Sequence, residues 1–101
     1  MSGPCYMIVL GAFTDFERFM SGYQLAVAPL IERFGGSYTL VGHDLLALET
    51  SFPSGGGAVI SKWPDRAAAL AFWNSPEYAE VKKLRAGTGE FQVVLVDAPT
   101  A

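Results

Sequence analysis

The segment FWNSPEY at residues 72–78, continued to Arg85, predicts where one helix ends and the next begins. A serine such as Ser75 can accept hydrogen bonds from the free amides of a first helical turn, and a proline suits the first helical position because it has no N–H group to leave unpaired. The glutamate that follows favours the positive end of the helix dipole. We therefore predict a helix beginning at Pro76. Helical spacing then puts Tyr78 and Arg85 on the same side of it.

A second helix is predicted from the pattern of apolar residues over 16–34, which recur at intervals of three and four. Thr14 and Glu17 have the spacing of a capping box, in which each side chain bonds to the other residue's free backbone amide, so the helix should begin at about residue 15. The polar residues of this segment, with Gln24 among them, mostly take the side away from the apolar stripe. We expect this helix to lie on a sheet.

The end of this helix and the strands after it are marked by proline and glycine. Pro29 lies inside the helical pattern and predicts a bend, and the pair Gly35-Gly36 predicts the end of the helix. A strand should start at about Ser37, and a further extended piece is predicted at 45–50. Between them, residues 42–44 (Gly-His-Asp) form either a bulge, which would aim the histidine at a special place, or a turn, which would leave it exposed.

The remaining strands are predicted from short apolar runs at 5–10, 58–63 and 91–96. Asp65 is the expected N-cap of a helix over 66–73, which is apolar almost all round. The resulting order is β-α-β-β-α-β, the split βαβ of ferredoxin-like α+β folds, in which an antiparallel sheet carries both helices on one face. Two such sheets packed face to face would form a dimeric α/β barrel.

Composition restricts the kinds of protein this chain can be. The 101 residues are half apolar and suit one domain over residues 1–101 with a single core. A net charge of −3 and a pI near 4.9 argue against nucleic acid as a partner. The low charged fraction of 17% predicts a homodimer that covers apolar surface. We predict no membrane span and a cytoplasmic protein, because no apolar run is long enough to cross a bilayer and the N-terminus lacks a basic leader.

Several residues along nearly the whole chain form a combined pattern that is more specific than any of its parts. They are Tyr23, Val27, Pro29, Phe34-Gly35-Gly36, Leu48-Glu49, Ala69, Trp73, Ser75-Pro76-Glu77-Tyr78, Arg85 and Val93-Val94-Leu95-Val96. With this pattern the chain resembles the family called domain of unknown function 1330, within the dimeric α/β-barrel superfamily. The resemblance implies the dimeric barrel fold and lends no established reaction. Similar barrels in that superfamily include cofactor-independent monooxygenases and lactone isomerases, an analogy at the level of fold.

The sequence contains few groups with obvious chemistry. It has no phosphate-binding loop, no dinucleotide fingerprint, no pair of cysteines or histidines and no nucleophile elbow, so we expect no metal and no cofactor. His43 is the only histidine, and the neighbouring Asp44 could favour its charged form for acid or base catalysis; the alternative is a solvated histidine in a turn.

Two interpretations of the remaining candidate residues stay open. Arg85 could clamp a carboxylate or enolate, or it could form a structural ion pair with Glu49. Residues Tyr23, Trp73 and Tyr78 are either core residues with polar atoms at the rim or the walls of an aromatic pocket.

These interpretations lead to two functional hypotheses. In the first, Arg85 and Glu49 orient a small anionic or carbonyl-containing molecule against Tyr23 and Tyr78, and His43 or Glu49 moves a proton. In the second, the chain is a non-catalytic module whose polar core pair locks a dimer, or which senses a metabolite.

Overall fold

The computed structural model describes residues 3–98 and contains one open antiparallel sheet with all helices on one face. The sheet has four strands in the order β2-β3-β1-β4. In chain order the elements are β1 (Cys5–Phe13), α1 (Phe16–Arg18), a π-helical turn (Phe19–Gln24), α2 (Leu25–Arg33), β2 (Ser37–Gly42), β3 (Gly57–Trp63), α3 (Arg66–Trp73), α4 (Pro76–Lys82), a 3₁₀ turn (Lys83–Arg85) and β4 (Gly89–Asp97). The predicted α+β class and the β-α-β-β-α-β order are confirmed.

The core lies between the sheet and the helices. The central strand β1 pairs antiparallel with β3 and β4, so Ile8 lies opposite both Ile60 and Val94. Because side chains alternate along a strand, Cys5 and Met7 of β1 are buried under the helices, and Ile8 points to the other face. The buried core cluster contains residues from both the sheet and the helices: Cys5, Met7, Val27, Leu30, Ile31, Trp63, Ala69, Phe72 and Tyr78.

The junction between α3 and α4 forms as the sequence predicts. Ser75 is the N-cap of α4: its hydroxyl oxygen accepts from the amide of Tyr78 at 3.0 Å, and its O–H donates to the carbonyl of Phe72 at 2.8 Å. Pro76 is the first helical residue. The N-cap of α3 is also confirmed, since the Asp65 carboxylate accepts from the amide of Ala68 at 2.8 Å.

The start of the first helix differs from the prediction. The capping residue is Asp15, whose carboxylate accepts from the amide of Arg18 at 3.1 Å. The Thr14 hydroxyl instead donates to the carbonyl of Gly87 at 3.4 Å, so the predicted box with Glu17 does not form. Asp15 takes the cap because β1 extends to Phe13, beyond its predicted end at residue 10, and leaves Thr14 tied to the loop before β4.

The predicted strand at 45–50 does not form. Residues 43–56 are irregular, and Leu46 and Leu48 are 71% and 87% exposed. The two ends of the segment are joined to each other, since the amide of Leu45 donates to the carbonyl of Gly56. The residues that follow Leu45 have no strand to pair with among the described residues. The predicted bulge at residues 42–44 does not form, because the register shift of β2 lies between Tyr38 and Leu40. Gly42 ends β2, and the chain bends at Asp44, which has a φ of 54° and leaves His43 exposed.

Candidate functional site

A small cavity between the sheet and the helices brings together four of the residues singled out from the sequence. Tyr23 comes from the π-helical turn, Trp73 from the end of α3, Tyr78 from the first turn of α4 and Arg85 from the end of the 3₁₀ turn. The cavity has a volume of about 50 Å³ and is otherwise lined mainly by apolar side chains of the sheet and helices. It can hold a few water molecules or one small polar group of a ligand.

The polar centre of this cavity is a pair of tyrosines. The hydroxyl oxygens of Tyr23 and Tyr78 are 2.8 Å apart, and either can be the donor. A phenol has one hydrogen to donate, so the pair uses one hydrogen and retains the other. Neither hydroxyl has a further hydrogen-bond partner within residues 3–98. The pair therefore offers one unused O–H donor.

The protonation state of the pair is set by burial. Burial raises the pKa of Tyr23 well above its ordinary value of 10.0, and the proximity of Tyr78 adds to the rise. The guanidinium of Arg85 opposes this rise without cancelling it. Tyr23 is therefore a neutral phenol, able to donate a hydrogen bond, throughout the physiological pH range.

Arg85 supplies the positive charge of the site. Its guanidinium carbon lies 5.7 Å from the ring centroid of Tyr23 and 4.8 Å from that of Phe91, at distances typical of cation–π contacts. Residues 3–98 form four ion pairs, Asp15–Arg18, Arg33–Glu77, Arg66–Asp97 and Glu80–Lys83, and Arg85 is in none of them. A half-buried guanidinium with aromatic neighbours and no carboxylate partner is well suited to bind an anion.

Glu49 does not meet Arg85. It lies exposed in the irregular segment after β2, and it does not line the cavity. The Arg85–Glu49 ion pair, which the sequence left open as the structural alternative, is absent because the strand expected to carry Glu49 towards the helices does not form. A catalytic role for Glu49 remains a prediction with no contact to support it.

A larger groove of about 1330 Å³ adjoins the cavity. It lies where β1 ends and β3 and β4 begin, and it is covered in part by Phe16 of α1 and Met20 of the π-helical turn. His43 is exposed on its rim, apart from the tyrosine pair, and Glu49 does not line it. The structure thus places His43 beside the site but does not bring it into contact with Tyr23 or Tyr78.

Sequence reasoning missed three polar residues of the cavity, Gln24, Tyr38 and Ser61. The side-chain amide of Gln24 donates to the Tyr38 hydroxyl at 3.3 Å, and both residues line the cavity. The apolar periodicity puts Gln24 on the outer side of a regular helix. The π-helical turn has more residues per turn than an α-helix and changes which positions face the sheet; such turns are frequent at functional sites.

No metal centre is visible in the described part of the chain. Among residues 3–98, no group of three or more His, Cys, Asp or Glu side chains is placed to hold a metal ion. The same residues contain no helix of the length and apolar character needed to cross a bilayer.

The open antiparallel sheet, the helices on one of its faces and the cavity between the two layers define a ferredoxin-like α+β protein. The chain belongs to the family Domain of unknown function (DUF1330), whose family model matches residues 4–99. This match confirms the resemblance found in the sequence.

Solved structures with this fold include proteins of unknown function. A protein of unknown function from Rhodopseudomonas palustris superposes with a TM-score of 0.80 at 20% identity, covering 100% of this chain and 86% of that one. A dimeric ferredoxin-like protein of unknown function from Jannaschia sp. CCS1 gives a TM-score of 0.69 at 15% identity, with coverages of 95% and 100%.

An enzyme has the same fold. SnoaB, a cofactor-independent oxygenase from Streptomyces nogalater, superposes with a TM-score of 0.70 at 13% identity, covering 98% of this chain and 96% of SnoaB. At these identities the structural likenesses show the fold alone. No curated protein matches the chain.

Proposed function

We propose that this chain binds a small anionic or carbonyl-containing organic molecule, without a cofactor, at the cavity formed by Tyr23, Tyr78 and Arg85. The observation that carries the proposal is the combination of one unused phenol hydrogen and one unpaired guanidinium at the same cavity within residues 3–98. A carboxylate, an enolate or a carbonyl oxygen can accept from both groups. Trp73 supplies an aromatic wall, as is usual for small-molecule sites.

The ion pairs elsewhere in the chain support this assignment of Arg85. They are each about half or more exposed, as surface pairs usually are, and they contribute little to stability. Arg85 instead lies half-buried against the rings of Tyr23 and Phe91, with no carboxylate beside it among the described residues. A bound anion would supply the partner that this guanidinium lacks.

We also propose that the protein is a homodimer joined through the outer face of its sheet. Three large apolar side chains on that face, Leu40, Val94 and Val96, are 45%, 53% and 46% exposed. Ile8 and Ile60 lie between them in the strand register. The structural neighbour from Jannaschia is dimeric. Burying this face against a second copy removes it from water and closes two open sheets into a barrel.

The same groups suit a reaction that passes through an enolate. Preorganised donors such as a phenol O–H and a guanidinium stabilise an oxygen that gains negative charge. A ligand that extends from the cavity into the groove would approach His43, which could then take the proton from the carbon next to the carbonyl. This second candidate rests on the proposed binding site.

Thermal unfolding with a panel of small carboxylic and 2-oxo acids tests the binding proposal. At a ligand concentration about 100 times Kd the stabilisation is about 2.7 kcal/mol, which raises the Tm of a domain of this size by about 10 °C or more. We expect such a rise for wild type and for the control Lys83→Met, which removes an exposed cation from the same 3₁₀ turn, and no rise for Arg85→Met.

Two results would count against this proposal. If no acid in the panel shifts the wild-type Tm, the proposed binding function is wrong. If a folded Arg85→Met variant shows the same shift as wild type, Arg85 does not bind the ligand.

Catalysis is tested separately with the acid that binds. In deuterium oxide, wild type should speed exchange of the protons next to the ligand carbonyl, as followed by proton NMR, and His43→Gln should abolish that gain while binding persists. If the acid binds and wild type does not speed this proton exchange, the protein binds the ligand without catalysing the reaction.

A further inference from the structure

We propose that the ligand of this site is amphiphilic: a carboxylic acid whose head group lies at Arg85 and the tyrosine pair and whose apolar body lies in the adjoining groove. This inference rests on the proposed binding function and adds the class of ligand. It assigns a role to the groove, which the tyrosine cavity alone leaves unexplained.

The cavity and the groove adjoin each other and share part of their lining. Val9, Gln24 and Val59 line both of them. Arg85 stands at the same boundary, because its guanidinium packs on Tyr23, which lines the cavity, and on Phe91, which lines the groove. A ligand held at the guanidinium therefore lies next to the groove.

The sizes of the two spaces point to a ligand with two unlike ends. The cavity, at about 50 Å³, accepts little more than a head group. The groove, at about 1330 Å³, is larger than the few hundred Å³ that suffice for an organic ligand of ordinary size. A ligand confined to the cavity would leave the groove empty, and one confined to the groove would leave the cation unpaired.

The groove wall is apolar where it meets the first helix. Phe13 contacts both Phe16 and Phe91 with ring centroids 5.0 and 5.9 Å apart, so an aromatic cluster runs from the helix to β4. Phe16 and Met20 are 56% and 40% exposed, although both line the groove. An alkyl chain or ring system lying here would remove these side chains from water.

The carboxylates that line the groove favour one direction for such a ligand. The ionised groups on the groove wall, Asp44 and Glu90, are both acidic. A carboxylate placed among them would be repelled, whereas the cation at the far end, Arg85, attracts it. The head group therefore belongs in the cavity and the apolar body in the groove.

Calorimetric titration with straight-chain acids from acetate to octanoate tests this inference on the full chain. Affinity should rise about fourfold for each methylene group that enters the groove. Octan-1-ol, which has the same chain without the carboxylate, should bind at least about tenfold more weakly than octanoate, because a charge-assisted hydrogen bond to Arg85 is lost.

A matched pair of variants locates the apolar body. Met20→Gln should weaken octanoate binding by about fivefold and leave acetate binding unchanged. Leu25→Gln, a similar change at a 70% exposed position of the same helix region away from the groove, should alter neither.

The outcomes separate the two proposals. Equal affinities for acetate and octanoate would overturn the amphiphilic ligand and leave the binding function standing. Tighter octanoate binding that Met20→Gln does not weaken would also overturn it, since the chain would lie elsewhere. Failure of every acid to bind would overturn the binding function, and this inference with it.

Discussion

Ser75→Ala should destabilise the fold by more than the loss of an ordinary helix cap. The Ser75 hydroxyl is the acceptor for the amide of Tyr78, and both residues are buried, at 8% and 2% exposure. In the variant that amide has no partner and little access to water. The carbonyl of Phe72 is less affected, because it still accepts from the Ser75 amide at 3.1 Å.

The magnitude follows from these contacts. Loss of a capping side chain costs about 1 kcal/mol on average and up to about 2 kcal/mol, and an unsatisfied buried donor belongs at the upper end of that range. We expect about 2 kcal/mol, or a fall in Tm of about 8–16 °C for a domain of this size. Urea unfolding followed by tryptophan fluorescence should show a lower midpoint with an unchanged slope.

The second N-cap provides a matched control. Asp65→Ala removes the cap of α3, whose capped residue Ala68 is less buried than Tyr78, so we expect a loss of about 1 kcal/mol. Ser75→Asp keeps the acceptor and should retain most of the wild-type stability. If Ser75→Ala costs no more than Asp65→Ala, burial of the Tyr78 amide has no effect on stability and the prediction is refuted.

The sheet and the cavity allow three more tests. An unfolded tyrosine loses its proton at a pH of about 10, whereas Tyr23 in the folded protein keeps its proton above that pH. The free energy of unfolding of the wild type should therefore fall as the pH rises above 10, and Tyr23 should contribute about 1.4 kcal/mol per pH unit to that fall. Urea titrations from pH 9 to 11.5 should show a shallower fall for Tyr23→Phe, and equal slopes would mean that Tyr23 does not cause the fall. Ile60→Lys on the outer face of the sheet should convert a dimer to a monomer in analytical ultracentrifugation, and an intact dimer would place the interface elsewhere. Gly36→Ala should lower stability by about 1–3 kcal/mol in thermal unfolding, because its added methyl group would lie 2.8 Å from both Ile31 and Trp63; an unchanged Tm would mean that these two side chains can move aside.

The features that sequence predicted well depend on local contacts. Ser75 and Asp65 cap the helices that follow them, and Gly35, with a φ of 96°, ends the first long helix. Tyr78 and Arg85 line the same cavity, although α4 ends at Lys82 and Arg85 lies in the 3₁₀ turn that follows it. Each of these outcomes is decided within a few residues, where propensity and capping are strong.

The features that sequence missed depend on distant partners. Residues 45–50 alternate like a strand, but a strand forms only with a neighbour to pair with, and after Leu45 the segment has none among the described residues. That one difference also removed the expected contact between Glu49 and Arg85. Gln24 faces the cavity because of a π-helical turn, which a pattern assuming regular helical spacing cannot register.

The most direct test of the site is a crystal structure of the protein with the carboxylic acid that raises its Tm most. We predict carboxylate oxygens within hydrogen-bond distance of the Arg85 guanidinium and of one hydroxyl of the Tyr23–Tyr78 pair, at about 2.7–3.0 Å. A carboxylate bound elsewhere, with the guanidinium and the tyrosine pair free of ligand, would contradict the proposed site.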